Sequence, residues 1–338
     1  MESLVNTEPS NLPFVSFIMP TLNVEALLDS CLASVVQQNY PRARYEIILA
    51  DAHSTDRTRE IARKYDAIVL DDNGKNMEEG KRLALRHARG DYIVFIDADN
   101  EISHSDYVRL AVTALSSQSQ ALGVEAYYPP SARMTSFCAY VTHLLQISDP
   151  ICWLMSRKPL LVAREGEIER WTLPPGTYSY PLGANGFVYR KADLDSVKAS
   201  QKFQDTHMAM YLMQAGKGEW LRMRGRGVHH YYCDGLWNFL LKRRRATVHF
   251  LNVRREFGVV WLQEKPAVPG WLACIYCVSV IGPVYHTIVG ILRDRDLRWL
   301  WHIPASVLSL AGAVWGYVTH RRHAHEEHLI SKLQPRQK

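Results

Sequence analysis

Short apolar runs alternate with helical spacings through the first 130 positions. Phe14–Met19, Tyr45–Ala50, Ala67–Leu70 and Tyr92–Ile96 read as strands. Between them, Glu25–Gln38, Thr55–Tyr65 and Met77–Ala88 have helical periodicity; Leu27, Leu28, Leu32, Val35 and Val36 are available for one face of the first. Asp56 near the start of the second helix suits its free amides, and Gly90 stops the third. Tyr92–Ile96 is apolar on both faces, as in a parallel sheet covered by helices. The pattern predicts an α/β fold with a mostly parallel sheet.

The pattern then changes. Phe137–Trp153 is apolar and aromatic, consistent with an amphipathic helix near a membrane. Gly183–Gly186 reads as a loop, Phe203–Ala215 as a helix closed by Gly216, and Glu219–Met223 and Val228–His230 as two short strands. Leu236–Phe257 reads as a basic, aromatic helix. Trp271–Leu292 (22 residues) and Leu300–Val318 (19 residues) contain no Lys, Arg, Asp or Glu. About 20 apolar residues cross a bilayer core, so these segments predict a two-helix transmembrane hairpin joined by the polar linker Arg293–Trp299. Pro283, His286, His302 and Pro304 interrupt them, which leaves a pair of buried or interfacial helices as the rival arrangement. The expected organisation is one α/β domain over 14–235 (halves 14–101 and 102–235), a basic juxtamembrane helix and linker over 236–270, membrane helices over 271–318 and a basic tail over 319–338.

Hydrophobic residues make up 47% of the 338 positions and charged residues 22%, which supplies a core and excludes global disorder. The formal charge of +6 concentrates late, at Lys242–Arg245, Arg254–Arg255 and Arg321–Arg322. That points to anionic membrane surface or phosphate ligands and not to nucleic acid. The six cysteines form no framework of short spacings, which favours a reduced, cytosolic setting. Cys274 and Cys277 form a CxxC inside an apolar run and read as small buried hydrophobes. The first residues show no positive segment followed by an apolar one, so no secretory signal is expected.

In sheets of this kind ligands bind beyond the carboxyl ends of the strands. Pro20, Thr21 and Asn23 follow the first strand, Asp51, Ser54 and Asp56 the second, and Asp97, Asp99 and Glu101 the fourth. Two neighbouring carboxylates repel each other, and a divalent cation relieves the conflict. Mg²⁺ and Mn²⁺ favour oxygen ligands and commonly join one or two carboxylates to substrate phosphates. Asp97-Ala98-Asp99 therefore reads as a metal–diphosphate station.

The stretches "VSFIMPTLNVEALLDSCLASVVQQNYP", "EIILADAHSTDRTREIARKY" and "ARGDYIVFIDADNE" resemble the successive signatures of family-two glycosyltransferases of GT-A fold. The resemblance covers roughly 14–230 and is specific over 14–101. It implies inverting sugar transfer from a nucleotide-diphosphate donor, with Mn²⁺ or Mg²⁺. Pro20, Thr21, Asn23 and Glu25 match the nucleotide-binding turn, and Asp51 the aspartate that reads the base, with Ser54 and Asp56 completing its motif. Ala52 and His53 depart from the family pattern there. Lys81, between Gly80 and Arg82, falls at a donor-facing helix start that lacks the family's common asparagine. The resemblance turns Asp97 to the ribose and Asp99 to the metal, with Asp97, Glu101 and His229 as further metal candidates.

Gly183–Phe187 resembles the acceptor loop, and "FQDTHMAMYLMQAG" the helix that carries the general base, here Asp205. An N-cap is the competing role for Asp205. Arg245 is the candidate for neutralising the leaving diphosphate; lipid-facing basic residues are the competing reading of Lys242–Arg245. The expected activity is transfer to a hydroxyl of a lipid-linked glycan at the cytosolic face of the cytoplasmic membrane. The rivals are a polyprenyl-phosphate acceptor, which needs no base, and a non-catalytic scaffold.

Overall fold

The computed structural model describes residues 12–74, 76–196, 204–258 and 265–333. The chain divides into two units: residues up to Ser131 with Arg157–Tyr231, and Ala132–Ser156 with the chain from Tyr232 onward.

In the first unit the early apolar runs become β1 (Val15–Thr21), β2 (Tyr45–Asp51), β3 (Ile68–Asp71) and β4 (Tyr92–Phe95). They alternate with α1 (Glu25–Val36), α2 (Thr58–Lys64) and α3 (Met77–His87). Strand β2 is buried throughout and β1 at every residue but Pro20, which explains why neither shows polar alternation. Helix α1 buries Leu28, Cys31, Leu32 and Val35, whereas Leu27 and Val36 stay exposed. Asn76 caps α3 by accepting from the Glu79 amide.

The unit continues with β5 (Asn100–Ile102), α4 (Tyr107–Ser117), β6 (Val124–Tyr127), β7 (Leu160–Glu165), β8 (Ile168–Thr172), β9 (Val188–Arg190), α5 (Lys191–Ser196), α6 (Asp205–Gln214) and β10 (Glu219–His230). Phe203, the expected start of α6, lies outside the described residues. The strand order is β3-β2-β1-β4-β9-β6-β10-β8-β7, with β5 paired to β10. The sheet is mixed, and this corrects the expectation of a mostly parallel one. Pairs β1–β2, β1–β4, β2–β3 and β6–β10 are parallel, whereas β9 runs antiparallel to both β4 and β6, and β7–β8, β8–β10 and β5–β10 are antiparallel. A strand's direction leaves no mark on its hydrophobic period, so the pattern could not distinguish them.

The two short strands expected at 219–223 and 228–230 are one strand with an irregularity. Its start pairs with β6 and β8; the β6 register shifts between Arg222 and Gly227; and Val228–His230 pair with β5. A Cβ on Gly227 would sit 2.1 Å from the Tyr127 carbonyl oxygen. Gly227 thus permits the close approach at which β10 leaves β6 and carries His230 toward the end of β4.

The second unit contains short helical turns at Ser136–Ala139, Tyr140–Leu144 and Pro150–Met155, then α7 (Leu236–Phe257), α8 (Gly270–Ser279), α9 (Ile281–Asp294) and α10 (His302–Leu333). Phe137–Trp153 is not one amphipathic helix. Phe137, Cys138, Tyr140, Val141 and Leu145 are buried with Phe239, Trp299 and Ala305 in this unit's core. No single described helix is long and apolar enough to cross a membrane. The first expected span is broken into α8 and α9, bent by 82°. Pro283 has no N–H to continue the α8 ladder to Ser279, and Val280 adopts φ 60° at the break. The second expected span begins at the end of a 3-10 turn (Leu297–Trp301) and from His302 on lies in α10, which packs closely on the basic helix α7. A Cβ on Gly312 would be 2.6 Å from Arg243 Cβ, and one on Gly316 would be 2.6 Å from the Arg244 carbonyl oxygen. Arg243 Nε meets Asp149 Oδ2 at 2.7 Å, and Ser309 of α10 donates to the same carboxylate. Cys277 is buried as expected, but Cys274 is exposed. The side chains of the basic tail beyond Arg322 lie outside the described residues.

Gly227→Ala should cost about 1–3 kcal/mol through overpacking. A lowered thermal midpoint measured by calorimetry checks it; an unchanged midpoint would show that the β6–β10 approach relaxes freely.

Candidate functional site

The carboxyl ends of β1 and β2 lie side by side, with Thr21 in register with Asp51. Asp51 is fully buried. It accepts from Thr21 Oγ1 at 3.0 Å, Ser54 Oγ at 2.5 Å, the Ser54 amide at 3.0 Å and Arg59 Nε at 2.5 Å. Burial alone would raise this carboxyl, but these hydrogen bonds outweigh it and hold the group below its ordinary range. Four donors fill the lone-pair sites of a carboxylate. In this state Asp51 is a brace, and reading a nucleobase would require displacing Ser54 or Arg59. Arg59, which the motif reading missed, also binds Asp71 at 2.6 Å.

The neighbouring turn residues stitch two loops together. Asn23, at φ 51°, accepts from the Thr55 amide at 2.9 Å and gives its own amide to Ser54 Oγ at 2.8 Å. Glu25 Oε2 accepts from the Arg57 amide at 2.9 Å, and Asp56 accepts from the Glu25 and Thr58 amides at 3.0 Å each. Pro20 lies close to Gly80, whose Cβ would be 3.3 Å from the proline Cβ. Asn23, Glu25, Ser54 and Asp56 therefore shape the edge through the backbone.

A second group gathers where β4, α3 and α6 meet. Lys81 is almost wholly buried; its Nζ lies 2.6 Å from Asp205 Oδ2 and 3.3 Å from Asp97 Oδ1. Burial would lower the ammonium, but the charges of Asp205, Asp97 and Glu78 drive it well above its ordinary range. Lys81 was expected to face the donor; here it joins the strand-end aspartate to the candidate base. Glu78 Oε2 accepts from the Asp205 amide at 3.0 Å. Burial and the Asp205 charge push the Glu78 carboxyl up to about 8, against the pull of Lys81. Asp205 is the first residue of α6, not its cap, which is Gln204; its Oδ1 accepts from the Thr206 amide at 2.6 Å.

The loop 183–187 abuts this group. A Cβ on Gly183 would meet Tyr189 Oη at 2.2 Å and the Asp205 carbonyl oxygen at 2.7 Å. Gly186 donates to the Phe95 carbonyl at 2.6 Å. Tyr189 Oη, Gln204 Oε1 and Thr206 Oγ1 are buried here without a hydrogen-bond partner, and Asp97 Oδ1 has the Lys81 ion pair but no hydrogen bond. Buried polar atoms are normally satisfied, so this concentration marks a place for a polar ligand.

The third group surrounds Asp99. Asn100, fully buried, donates from Nδ2 to Asp99 Oδ1 at 3.1 Å and accepts from the Asp97 backbone amide at 3.3 Å, so it orients the Asp99 carboxylate and pins the turn at Asp97. Desolvation pushes the Asp97 carboxyl up; Lys81 pulls it down, while Asp99 and Asp205 add to the rise. His230 Nε2 lies 3.7 Å from Asp99 Oδ2. The metal candidate His229 instead turns its Nδ1 to the Pro129 carbonyl at 3.0 Å, because successive side chains on a strand point to opposite faces. Glu101 accepts from Tyr231 Oη at 2.9 Å. Among the described residues no three His, Cys, Asp or Glu side chains form a metal cluster, so the expected set Asp97, Asp99, Glu101 and His229 is not assembled. Asp99 nevertheless presents the carboxylate oxygen that suits Mn²⁺ or Mg²⁺, and the His230 imidazole beside it adds a nitrogen donor that Mn²⁺ accepts more readily than Mg²⁺. Arg245 lies exposed on α7 in the second unit. The His229-His230 pair stands out in the sequence, and the structure turns its second member, not His229, toward Asp99. Asn100 and Glu78 are the residues that the sequence reading misses; only Asn100, beside Asp99, carries any signal there.

Residues 16–129 match the family Glycosyl transferase family 2. Glycosyltransferase AglE of Haloferax volcanii is 30% identical over 129 residues, covering 36% of this chain and 42% of that protein. The uncharacterized glycosyltransferase EpsJ of Bacillus subtilis is 33% identical over 130 residues, 37% of each chain. The chain thus spans less than half the length of these relatives. Among solved structures, the mannosyltransferase PcManGT from Pyrobaculum calidifontis, in complex with GDP-Man and Mn²⁺, superposes with a TM-score of 0.56 at 15% identity, covering 94% of this chain and 92% of that one.

Lys81→Met leaves two carboxylates without their buried cation and should cost about 3–5 kcal/mol, read by denaturant unfolding. Glu78 gives a pH signature. A carboxyl raised in the folded state favours folding at low pH, and that contribution is lost as pH rises toward about 8. Glu78→Gln keeps the acceptor for the Asp205 amide. Its thermal midpoint should therefore gain on the parent protein progressively between pH 5 and 9, as followed by differential scanning calorimetry.

Proposed function

We propose, from the match of residues 16–129 to glycosyl transferase family 2 and from the GT-A fold, that this protein is an inverting glycosyltransferase. It moves a sugar from a nucleotide-diphosphate donor to a hydroxyl of a lipid-linked glycan and works at the cytosolic face of the cytoplasmic membrane. The observation that carries the reading is the convergence of Asp97 and Asp205 on Lys81 at the end of β4, with Asp99 two residues on and unsatisfied buried polar atoms around Asp205.

In the proposed reaction Asp205 takes the proton of the acceptor hydroxyl as the oxygen bonds to the anomeric carbon. The bond from that carbon to the diphosphate breaks, and its electron pair leaves with the nucleoside diphosphate. A sugar hydroxyl is a poor nucleophile without such a base. Lys81 holds Asp205 in place and neutralises it until the substrate arrives. Glu78 fixes its backbone, and the Gly183 contact sets the loop beside it. Asp99 and His230 would hold a divalent cation, Mn²⁺ or Mg²⁺, which when bound offsets charge on the leaving diphosphate. Asn100 keeps the Asp99 carboxylate turned to that position.

The test is a thermal-shift panel of UDP-, GDP-, dTDP- and CDP-sugars with and without Mn²⁺, on the parent chain and on Asp99→Ala and His230→Ala. Ligands that bind only the folded state raise its apparent stability. One nucleotide should stabilise the parent chain with metal, and both variants should lose the response. Silence across the panel from folded protein would leave a scaffold. Asp205→Asn should bind that donor normally yet lose at least 100-fold in transfer, the lower range for a general base. Retained transfer would instead mean an acceptor already ionised, such as a polyprenyl phosphate.

A further inference from the structure

Helix α9 is amphipathic in the reverse sense to a helix of a soluble core. Ile281, Val284, Tyr285, Ile288, Val289 and Leu292 recur at helical spacing and are all exposed, Ile281 by 78% and Leu292 by 74%. Its buried face is Pro283, Thr287 and Gly290. A Cβ on Gly290 would lie 2.2 Å from the Trp299 ring, so the small residues, not the large apolar ones, do the packing. Helix α8 repeats the inversion: it buries Ala273 and Cys277 and exposes Trp271, Ile275 and Val278.

The bend between them is built in. The Tyr276 ring occupies the space a side chain on residue 282 would need, 2.2 Å from the position of a Gly282 Cβ. The Tyr276 hydroxyl hydrogen-bonds His286 Nδ1 at 2.8 Å and His302 Nε2 at 2.6 Å. Together with Val280 at φ 60° and Pro283, these contacts hold the 82° angle. Straightening the pair into one span would break all of them. The two legs, of 10 and 14 residues, are about 15 and 21 Å long, each short of the roughly 30 Å hydrocarbon core.

We propose that α8 and α9 form a wedge that sinks its exposed face into one leaflet of a lipid bilayer without crossing it. This deepens the membrane part of the reading above and rests on it. The occupant follows from the charge pattern. No Lys, Arg, Asp or Glu occurs from Trp271 to Leu292, and charge resumes abruptly at Arg293, Asp294 and Arg295 where α9 ends. Exposed Trp271 and Tyr285 supply the amphipathic rings that favour the headgroup level.

Flotation of the full chain with phosphatidylcholine–phosphatidylglycerol vesicles tests the surface. The parent chain should float with the vesicles. Ile281→Asn with Ile288→Asn, both exposed sites, should reduce the floating fraction at least tenfold while leaving the circular dichroism spectrum and thermal midpoint unchanged. Flotation that survives the double variant overturns the wedge. So does a chain that ignores vesicles and instead forms an oligomer dissolved by the same substitutions, which would make the face a protein interface. The depth is tested by single cysteines in a Cys274→Ser background, since Cys274 is the exposed native thiol. A membrane-impermeant maleimide should reach Arg295→Cys from the same face as Arg255→Cys on α7. Labelling from opposite faces would show a crossing and defeat the proposal. None of these readouts uses sugar transfer, so they stand or fall apart from the enzymatic reading.

Discussion

The arrangement of the first unit depends on one buried ammonium. Lys81 carries a full charge into a place where water is excluded, and such a charge is tolerated only with close partners. Its partners are Asp205 at the start of α6 and Asp97 at the end of β4. Each aspartate in turn would be a poorly compensated buried anion without it. The three groups therefore hold α3, β4 and α6 to one point, and Glu78 fixes the same point through a backbone amide. The strand-end carboxylates and the candidate base occupy one small region because this charge cannot be left unpaired.

Around that point most of the signature residues act through the backbone. Asp51 has its lone pairs filled by Thr21, Ser54 and Arg59, and Asn23, Glu25 and Asp56 bind amides of neighbouring loops. Their chemistry shapes a cradle at the carboxyl edge of the sheet, the place where open α/β sheets bind ligands. The groups with unmet hydrogen-bonding capacity lie farther along, at Tyr189, Gln204 and Thr206. The division is physical: a loop must first be held before it can hold a ligand.

The second unit shows the limit of hydropathy counted along a chain. Two runs of span length are equally free of charge on paper, yet they differ in three dimensions. From His302 on, the run Leu300–Val318 lies in a helix whose glycines let the arginine-bearing α7 approach, and the Arg243–Asp149 pair beside it is bound by Ser309. Trp271–Leu292 breaks at Val280 and turns its large apolar side chains outward. Proline and histidine within the runs were the visible warning, and their roles are a missing donor and a buried hydrogen bond; the close approaches at glycine appear only in the structure.

The sequence by itself determined the alternation of strands and helices, the burial of β1, β2 and β4, the carboxyl edge as the candidate site and the glycosyltransferase resemblance. These rest on local periodicity and on residues a few positions apart, which a linear reading contains. Only the tertiary structure decided that the sheet is mixed, that His230 and not His229 faces Asp99, that Asp205 begins its helix instead of capping it, and that Lys81 binds carboxylates. Strand direction has no hydrophobic signature, and a one-residue step along a strand reverses the face. The Lys81–Asp205 contact joins positions 124 residues apart. A charge finds such a partner only when folding removes the water that would otherwise have solvated it.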